Sequence, residues 1–299
     1  MSIIDNTEKI LNHWGLGDAA VTPIESPSQS TWDIDGKYIL KKTSRFSNAD
    51  ELKRGIQFSN LLIEQGISVA AFVPTTNGQL TTPDDEYCLM TKLPGKHADF
   101  YKEPHLAFEM GRELARLHTS LAAIESEIKC SDNDLLADWK NWIRPGLDGF
   151  VSHSIIDDVD TRFHNLYPKL PRQLIHRDVH LHNVLFVGDK LTGWLDFDIS
   201  QKNVRLFDVA YLLAGLIHRE TADAIRVKMW RSFSNELLLG YDEVNLLTPE
   251  EREALPVLMI VIEFLFLCSW NGRGNAEQRD SALELAIWLY NDYRRRTLV

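Results

Sequence analysis

The 299-residue chain is poor in cysteine, in basic side chains and in long apolar runs, and each shortage argues against a class of protein. Its three cysteines, Cys88, Cys130 and Cys268, are far apart and form no Cys-x-x-Cys pair, which favours a reducing compartment over a disulfide-stabilised secreted protein. Acidic side chains outnumber basic ones by 43 to 32, and the formal net charge is −11. This balance argues against a nucleic-acid or anionic-membrane partner.

Long hydrophobic segments and targeting signals are also missing. The most apolar stretch, residues 257–268, is about twelve residues long and contains Glu263, so it predicts a buried helix rather than a membrane span. The N-terminus, Met1–Asp5, has neither a basic start nor an apolar run of secretory length. We therefore expect a soluble, cytoplasmic protein with no membrane partner, long enough for two lobes.

One loop concentrates polar side chains between two short apolar runs. Residues 176–183 read His-Arg-Asp-Val-His-Leu-His-Asn. Such side chains are costly to hold unpaired near a core, so their concentration indicates chemistry.

The sequence that follows this loop predicts a tight hairpin, with strands at 184–187 and 191–195. Two near-equal arms would bring Asn183 and Asp196 to about one strand spacing, roughly 5 Å. Asp178 begins the same loop, so three oxygen-bearing side chains converge. Oxygen ligands suit Mg²⁺ held together with phosphates, which predicts a phosphoryl-transfer site.

These motifs resemble those of a known family. His176-Arg177-Asp178, with Asn183 five residues after the Asp, resembles the catalytic loop of kinases, and Asp196-Phe197-Asp198 stands where protein kinases carry Asp-Phe-Gly. The final Asp, together with His180 and His182, is similar instead to the aminoglycoside phosphotransferase and choline kinase group. The resemblance runs from about residue 20 to the C-terminus.

The resemblance implies an α+β, protein-kinase-like bilobal fold. A small N-terminal lobe, residues 1–93, would hold an antiparallel sheet and one helix and bind the nucleotide, and a larger, mainly helical lobe, residues 94–299, would hold the catalytic and substrate-binding groups. The implied reaction is Mg²⁺-dependent transfer of the γ-phosphoryl group of ATP or GTP to a hydroxyl of a small molecule. The negative net charge mildly favours a cationic acceptor.

The same resemblance implies roles for the motif residues. Asp178 would accept or orient the acceptor proton, Asn183 and Asp196 would hold Mg²⁺, and Asp198 would assist through a second metal or a water. His176 would brace the loop rather than transfer a proton.

Two further polar residues have structural interpretations. Asp208 precedes an apolar run and predicts a helix N-cap; in the family, an Asp at this place ties the backbone of the catalytic loop. His118 lies on the apolar helix predicted at 104–121, and we expect it to be a satisfied structural histidine.

Nucleotide contacts are expected in the N-terminal lobe. The loop 25–31, which would cover the phosphates, has no glycine. Ser28, Ser30 and Thr31 could instead donate hydroxyl hydrogen bonds to the phosphates, and a solvated hairpin loop with no such role fits the sequence about as well. Strand alternation directs only one of two adjacent lysines inward, and the family pattern favours Lys41 as the phosphate ligand.

The predicted hinge and helix of this lobe add further expectations. Main-chain groups near Thr91 and Leu93 would bind the nucleotide base. The helix at 48–65 carries Gly55 where the family has a Glu that pairs with the strand Lys, so Glu51, one turn earlier, is the candidate replacement.

The acceptor site is expected on the C-terminal helices. In the family, acidic and aromatic side chains of these helices commonly build the acceptor pocket. Glu263 and Trp270 are therefore candidate acceptor-binding residues, and the alternative for both is that they pack in the core. Further elements are predicted as a helix at 5–14, strands at 69–74 and 86–91, and helices at 135–150, 155–167, 220–240 and 249–296.

Alternatives remain open at this point. His176, His180 and His182 have spacings compatible with a zinc or iron metallohydrolase. The glycine-free loop and Gly55 are compatible with a catalytically weak nucleotide-binding module. A protein kinase is disfavoured because the segment between Asp198 and Asp208 leaves no room for a long activation loop. The motifs leave open the acceptor, the choice of ATP or GTP, and the oligomeric state.

Overall fold

Four antiparallel strands form the first sheet, paired in the order in which they occur along the chain. The structure is a computed structural model that describes residues 7–24, 30–43 and 49–297, without the side chains of 49–51 and 296–297. The strands are β1 (Val21–Pro23), β2 (Thr31–Ile34), β3 (Tyr38–Lys42) and β4 (Tyr87–Thr91).

The first sheet buries one face against the N-terminal helical segment. That segment consists of α1 (Thr7–Leu11) and a 3₁₀ turn (Asn12–Trp14), close to the helix expected at 5–14. Alternate strand residues turn inward because successive side chains of a strand point to opposite faces. The resulting small core contains Ile10, Leu11, Trp14, Trp32, Ile34, Leu40, Tyr87 and Leu89.

The strand predicted at 69–74 does not form. Val69 pairs in parallel with Trp194 of the later hairpin, whereas Phe72 pairs in antiparallel fashion with Met90 of β4. Both pairings are isolated bridges, and they lead to different sheets, so neither extends into a continuous ladder. The segment therefore remains irregular and links the two parts of the molecule.

The helix α2 (Ala49–Glu64) follows β3 and contacts the helix α3 (Leu106–Ile124) of the larger part. The stripe predicted on α3 is buried, since Leu106, Met110 and Leu114 are at most 2% exposed. Helices with one apolar face are stabilised mainly by burying that face.

The hinge between the two parts requires glycine at position 95. Gly95 has φ +124°, and a Cβ there would lie 2.7 Å from the Phe186 carbonyl oxygen. The next residue, Lys96, exchanges two backbone hydrogen bonds with Phe186, at 3.0 and 2.8 Å. The hinge is thus fastened to the hairpin that follows the catalytic loop.

The larger part is mainly helical and carries two short antiparallel sheets. The hairpin pairs β6 (Val184–Val187) with β7 (Lys190–Trp194), close to its predicted bounds, and β5 (Arg172–Ile175) pairs with β8 (Gln201–Val204). The remaining elements are α4 (Leu135–Asp138), a π-helical turn (Trp139–Ile143), α5 (Arg144–Gly146), α6 (His153–Leu166), α7 (Leu206–Ile217), α8 (Ala224–Val244), α9 (Pro249–Gly272), α10 (Ala276–Thr297) and 3₁₀ turns at Tyr167–Lys169 and Leu181–Asn183.

The single helical segment predicted at 249–296 is two helices, α9 and α10. A break that contains Gly274, at φ +70°, separates them. Helix α9 starts at a capping box, in which Thr248 and Glu251 each accept the other's backbone N–H.

The sequence predicted that the apolar stretch at residues 257–268 is too short to cross a membrane, but the helix that contains it, α9, is twice as long as that stretch. In the part of the chain that the structure describes, α9, with 24 residues, is the one helix whose length and composition would allow it to span a membrane. Of its most apolar window, 56% is buried inside the molecule, and the helix packs against α6, α7 and α10. Core helices pass the same test of length and composition.

The expected α+β architecture is confirmed: a small antiparallel sheet with α2 precedes a larger helical part. The boundary between residues 93 and 94 stays a prediction.

Candidate active site

The loop that follows β5 is held in place by a buried histidine. His176 is fully buried, and its Nδ1 accepts the Asp178 backbone N–H at 3.2 Å while its Nε2 donates to the Leu195 carbonyl at 2.8 Å. A neutral imidazole can form both of these hydrogen bonds, one as acceptor and one as donor. Burial favours this neutral form, because it lowers the pKa of His176. The ring therefore joins the start of the loop to the end of β7, the arrangement expected of a brace.

A buried carboxylate holds the same loop from the other side. Asp208 accepts the backbone N–H groups of His176 at 2.9 Å and Arg177 at 2.7 Å, together with a hydrogen bond from His118 Nε2 at 3.1 Å. The prediction that Asp208 is an N-cap was wrong, because α7 begins at Leu206 and Asp208 lies in its first turn. Its oxygens serve the loop amides instead of the helix amides.

Asp178 is surrounded by groups that stabilise its ionised form. Tyr211 donates its hydroxyl to Oδ1 at 3.2 Å, Asn183 donates Nδ2 to Oδ2 at 3.0 Å, and His180 Nε2 lies 3.5 Å from Oδ2. Burial opposes ionisation, but the hydrogen bonds and histidine neighbours outweigh it and hold the pKa of Asp178 below its usual value. The carboxylate is therefore charged at neutral pH and can accept a further hydrogen bond.

A cleft of about 370 Å³ lies between the first sheet and the hairpin. Several of the residues selected from the sequence line it, namely Lys41, Thr91, Leu93, Asn183, Asp196 and Asp198. Much of the remaining lining is apolar, as a planar base would require, and includes Ile39, Val69, Phe72, Met90, Leu185 and Trp194.

The two adjacent lysines of β3 point in different directions. Lys41 lines the cleft, whereas the ammonium of Lys42 lies 6.0 Å from the centre of the Tyr87 ring. At the hinge, the Thr91 backbone N–H already donates to Ala71, while the Leu93 N–H donates to none of the described residues. Leu93 therefore offers a donor at the edge of the cleft.

The expectations for the phosphate-covering loop are met only in part. Ser28 lies outside the described residues, and Ser30 is buried and does not line the cleft. Its neighbour Thr31 does line the cleft.

On α2, Gly55 and Ser59 both face the cleft. Because residues four apart share a helix face, position 51 falls on this face as well. The side chain of Glu51 lies outside the described part of the chain, so its pairing with Lys41 stays a prediction.

The donor set at the end of the hairpin fits a magnesium ion. Asn183 uses its Nδ2 to donate to the carbonyl and carboxylate of Asp178, at 2.9 and 3.0 Å, which leaves its amide oxygen as the atom that can bind a cation. Asp196 and Asp198, which also line the cleft, add two carboxylates. One amide oxygen and two carboxylates are hard ligands of the kind that Mg²⁺ prefers.

The histidine-based metallohydrolase has no ligand set in the described residues. No group of three or more His, Cys, Asp or Glu side chains is arranged there to hold a metal ion. His180 accepts the His182 backbone N–H on Nδ1, and both nitrogens of His176 are engaged.

The two acceptor candidates on α9 have different surroundings. Glu263 is only 7% exposed and forms no hydrogen bond or ion pair with a described residue, and burial raises its pKa to about 8. Trp270 is half-buried, with the Arg273 guanidinium 5.1 Å from its ring centre. No described contact joins Trp270 to Asp178.

Sequence reasoning missed Tyr211. It lies one helical turn after Asp208 on α7, and its ring packs on Phe266 of α9 with centroids 5.7 Å apart. The spacing from Asp208 was the available signal, because residues three apart share a helix face.

A model of the phosphotransferase enzyme family matches residues 21–247, more than half of the chain. The chain belongs to this family. Among curated proteins, it is similar to the homoserine kinase of Rhizobium meliloti (strain 1021), with 29% identity over 231 residues that cover 75% of this chain and 68% of the relative.

Solved structures agree on the fold. The GDP complex of aminoglycoside 2'-phosphotransferase-IIIa superposes with a TM-score of 0.69 at 16% identity, over 98% of this chain and 100% of the other. A microcompartment-associated aminopropanol kinase superposes with a TM-score of 0.68 at 16% identity, over 96% and 95%. The family membership that the motifs suggested is confirmed, and the protein is a small-molecule phosphotransferase with a hydroxyl acceptor.

Proposed function

We propose that the enzyme transfers the γ-phosphoryl group of ATP or GTP, bound as the Mg²⁺ complex, to the hydroxyl of a small acceptor beside Asp178. The observation that carries this proposal is the hydrogen-bonded pair of Asp178 and Asn183, which joins the ionised carboxylate to the wall of the cleft. A nucleotide in the cleft and an acceptor on the opposite side of Asp178 would bring the reacting atoms together.

The base would lie against the apolar lining of the cleft, with the Leu93 N–H as a hydrogen-bond donor and Thr91 beside it. The ammonium of Lys41 would face the α- and β-phosphates. Ser28 and Ser30 stay as proposals for the loop above the phosphates, and Glu51 stays the proposed partner of Lys41.

Asn183, Asp196 and Asp198 would hold the metal. When bound, Mg²⁺ would neutralise charge that develops on the phosphate oxygens. The amide of Asn183 also fixes the Asp178 carboxylate, so one side chain would position both the metal and the base.

The transfer itself requires little covalent chemistry from the protein. The acceptor oxygen would form a bond to the γ-phosphorus while the bond from that phosphorus to the β–γ bridging oxygen breaks. The hydroxyl proton would pass to a carboxylate oxygen of Asp178, which Tyr211 and His180 keep oriented.

The acceptor is proposed to be a small alcohol that carries an amine. The homoserine kinase relative and the aminopropanol kinase neighbour are both named for amine-bearing alcohols. The negative net charge and the buried carboxyl of Glu263 support the same class, while Trp270 stays a weaker proposal. We also propose a cytoplasmic location, as the low cysteine content suggests.

The test is Mg²⁺-dependent release of ADP or GDP over a panel of homoserine, serine, aminopropanol, choline and kanamycin. We expect at least one acceptor to raise turnover above the rate with water alone. Asp178→Asn should lower kcat by about 10²–10⁴-fold, the usual contribution of a general base. Asp189→Asn is the matched control, because Asp189 lies on the hairpin turn with a side chain that is 83% exposed.

Full activity of Asp178→Asn would remove this residue from the mechanism. Nucleotide binding without acceptor-stimulated turnover over the whole panel would favour the catalytically weak binding module, the reading for which Gly55 on the cleft wall is the supporting observation.

A further inference from the structure

Arg177 is an unusual residue in the catalytic loop. Its backbone has φ +72°, a left-handed conformation that side chains other than glycine rarely adopt. Its side-chain Nε is buried without a hydrogen-bond partner, and the guanidinium forms no ion pair with a described residue. Burial lowers the pKa of Arg177, while the carboxylates of Asp138 and Asp178 oppose the shift without forming an ion pair with it.

Glu263 is an acidic residue with the same lack of a partner, and its pKa of about 8 keeps the carboxyl mostly protonated at neutral pH until a cation lies beside it. Its side chain is 7% exposed on α9, three residues before Phe266, whose ring packs on Tyr211. A buried carboxyl without a partner is costly for the folded state unless a ligand supplies the missing group.

Tyr211 contacts the base and feels the electrostatic influence of both of these groups. Its hydroxyl donates to Asp178. Burial and then the carboxylates of Asp178 and Glu263 raise the pKa of Tyr211, and Arg177 opposes them. The hydroxyl of Tyr211 thus links the base to α9, where Glu263 lies one helical turn before the Phe266 ring that packs on Tyr211, while Arg177 directly precedes the base in the loop.

We propose that Arg177 and Glu263 together bind a zwitterionic acceptor, a small hydroxy amino acid whose carboxylate contacts Arg177 and whose ammonium contacts Glu263. The inference rests on the proposed function and names the substrate class of the same site. Each ligand charge would satisfy one unpaired protein group, and guanidinium–carboxylate pairs are geometrically specific. Arg177 would also repel a polycationic acceptor such as an aminoglycoside.

The experiment compares acceptors that differ by one charged group. Homoserine carries both charges, 3-aminopropan-1-ol lacks the carboxylate and 4-hydroxybutyrate lacks the ammonium; serine, ethanolamine and 3-hydroxypropionate form the shorter series. Choline and kanamycin represent purely cationic acceptors. We expect kcat/KM of the wild type to favour the zwitterion of one series by at least about tenfold over both of its analogues.

Arg177→Gly is the variant of choice, because glycine adopts φ +72° without strain and the fold should survive. It should reduce the preference for the zwitterion over the amino alcohol by at least about tenfold, and Arg177→Lys should restore part of it. Glu263→Gln should reduce the preference for the zwitterion over the hydroxy acid by a similar factor. The same variant should leave the preference for the zwitterion over the amino alcohol largely unchanged.

Separate outcomes would overturn separate claims. An equal loss of kcat/KM for the zwitterion and the amino alcohol in Arg177→Gly would mean that Arg177 only shapes the loop. A wild type that prefers choline, kanamycin or the amino alcohols would overturn the proposal of a zwitterionic acceptor. The proposed kinase activity would still stand. No stimulated turnover with any acceptor would overturn both the inference and the proposed function.

Discussion

At the scale of single residues, the site combines ionisable groups that have partners inside the protein with ionisable groups that have none. Asp178 has hydrogen-bond partners on both carboxylate oxygens, and Asp208 accepts three hydrogen bonds. Arg177 and Glu263 have no partner among the described residues. Groups of the first kind keep a loop in one conformation, whereas groups of the second kind are more stable when a ligand is bound.

The raised pKa of Glu263 predicts a pH-dependent stability. Its pKa is about 8 in the folded state, because burial disfavours the charged form, and about 4.5 in the unfolded chain. Between these values the folded state holds a proton that the unfolded state has lost, so the free energy of unfolding falls as the pH rises from about 4.5 to 8.

Urea unfolding of wild type and Glu263→Gln at several pH values measures this effect. The difference between the two proteins should grow in favour of the variant as the pH rises, by on the order of a few kcal/mol. Tyr211 is the titratable neighbour, and its raised pKa keeps it neutral in this range. A difference that does not depend on pH would show that Glu263 is ionised and paired in the folded protein.

At the scale of elements, the helices α3 and α8 approach each other unusually closely. A Cβ on Gly111 would lie 1.9 Å from the Leu237 carbonyl oxygen, and one on Gly240 would lie 2.0 Å from that of Phe108. The obstacle is backbone in both cases, so neither helix can yield without moving away from the other.

Gly111→Ala should therefore destabilise the protein, by roughly 1–3 kcal/mol or more, although alanine is the better helix former. Gly215→Ala in α7 is the matched control, because nothing lies within 4 Å of a Cβ there. The control should gain up to about 1 kcal/mol from helix propensity. Thermal unfolding compares the two variants; equal or opposite effects would contradict the close approach.

The same scale shows what local patterns can predict. The catalytic hairpin, α3 and the strand β4 follow from periodicity and turn residues close to their observed bounds. The strand at 69–74 failed because its pairing partners come from two distant parts of the chain. The prediction that Asp208 caps a helix was wrong for a related reason. The backbone N–H groups that donate to its carboxylate belong to a loop about thirty residues earlier in the chain.

The site was predictable only where residues share one motif. Asn183 and Asp196 are joined by the hairpin, so their convergence on one cleft could be deduced from the turn length. Tyr211 and Glu263 lie on different helices, and only the packing of α7 on α9 brings them together. No local pattern contains that information.

At the scale of the whole molecule, the main hydrophobic core is not confined to the larger part. It includes Phe58 and Leu62 of α2, which precede the hinge. Phe58 stacks on Phe197 with ring centroids 6.0 Å apart, and Phe197 lies 4.5 Å from the ring of His176. Two buried rings, those of Phe58 and His176, are therefore joined through the half-buried ring of Phe197, and this line connects α2 with the catalytic loop.

This continuity predicts that the protein unfolds as one unit, although chains of this length often unfold in steps. Residues on both sides of the hinge share one core, so loosening α2 would expose apolar surface of the larger part and destabilise it as well. Scanning calorimetry should give one transition whose calorimetric and van't Hoff enthalpies agree.

ATP with Mg²⁺ at about 100 times its Kd should raise the free energy of unfolding for that single transition by about 2.7 kcal/mol. Two resolved transitions, only one of which moves with nucleotide, would show instead that the two parts are energetically independent and that the ring contacts do not couple the nucleotide cleft to the catalytic loop.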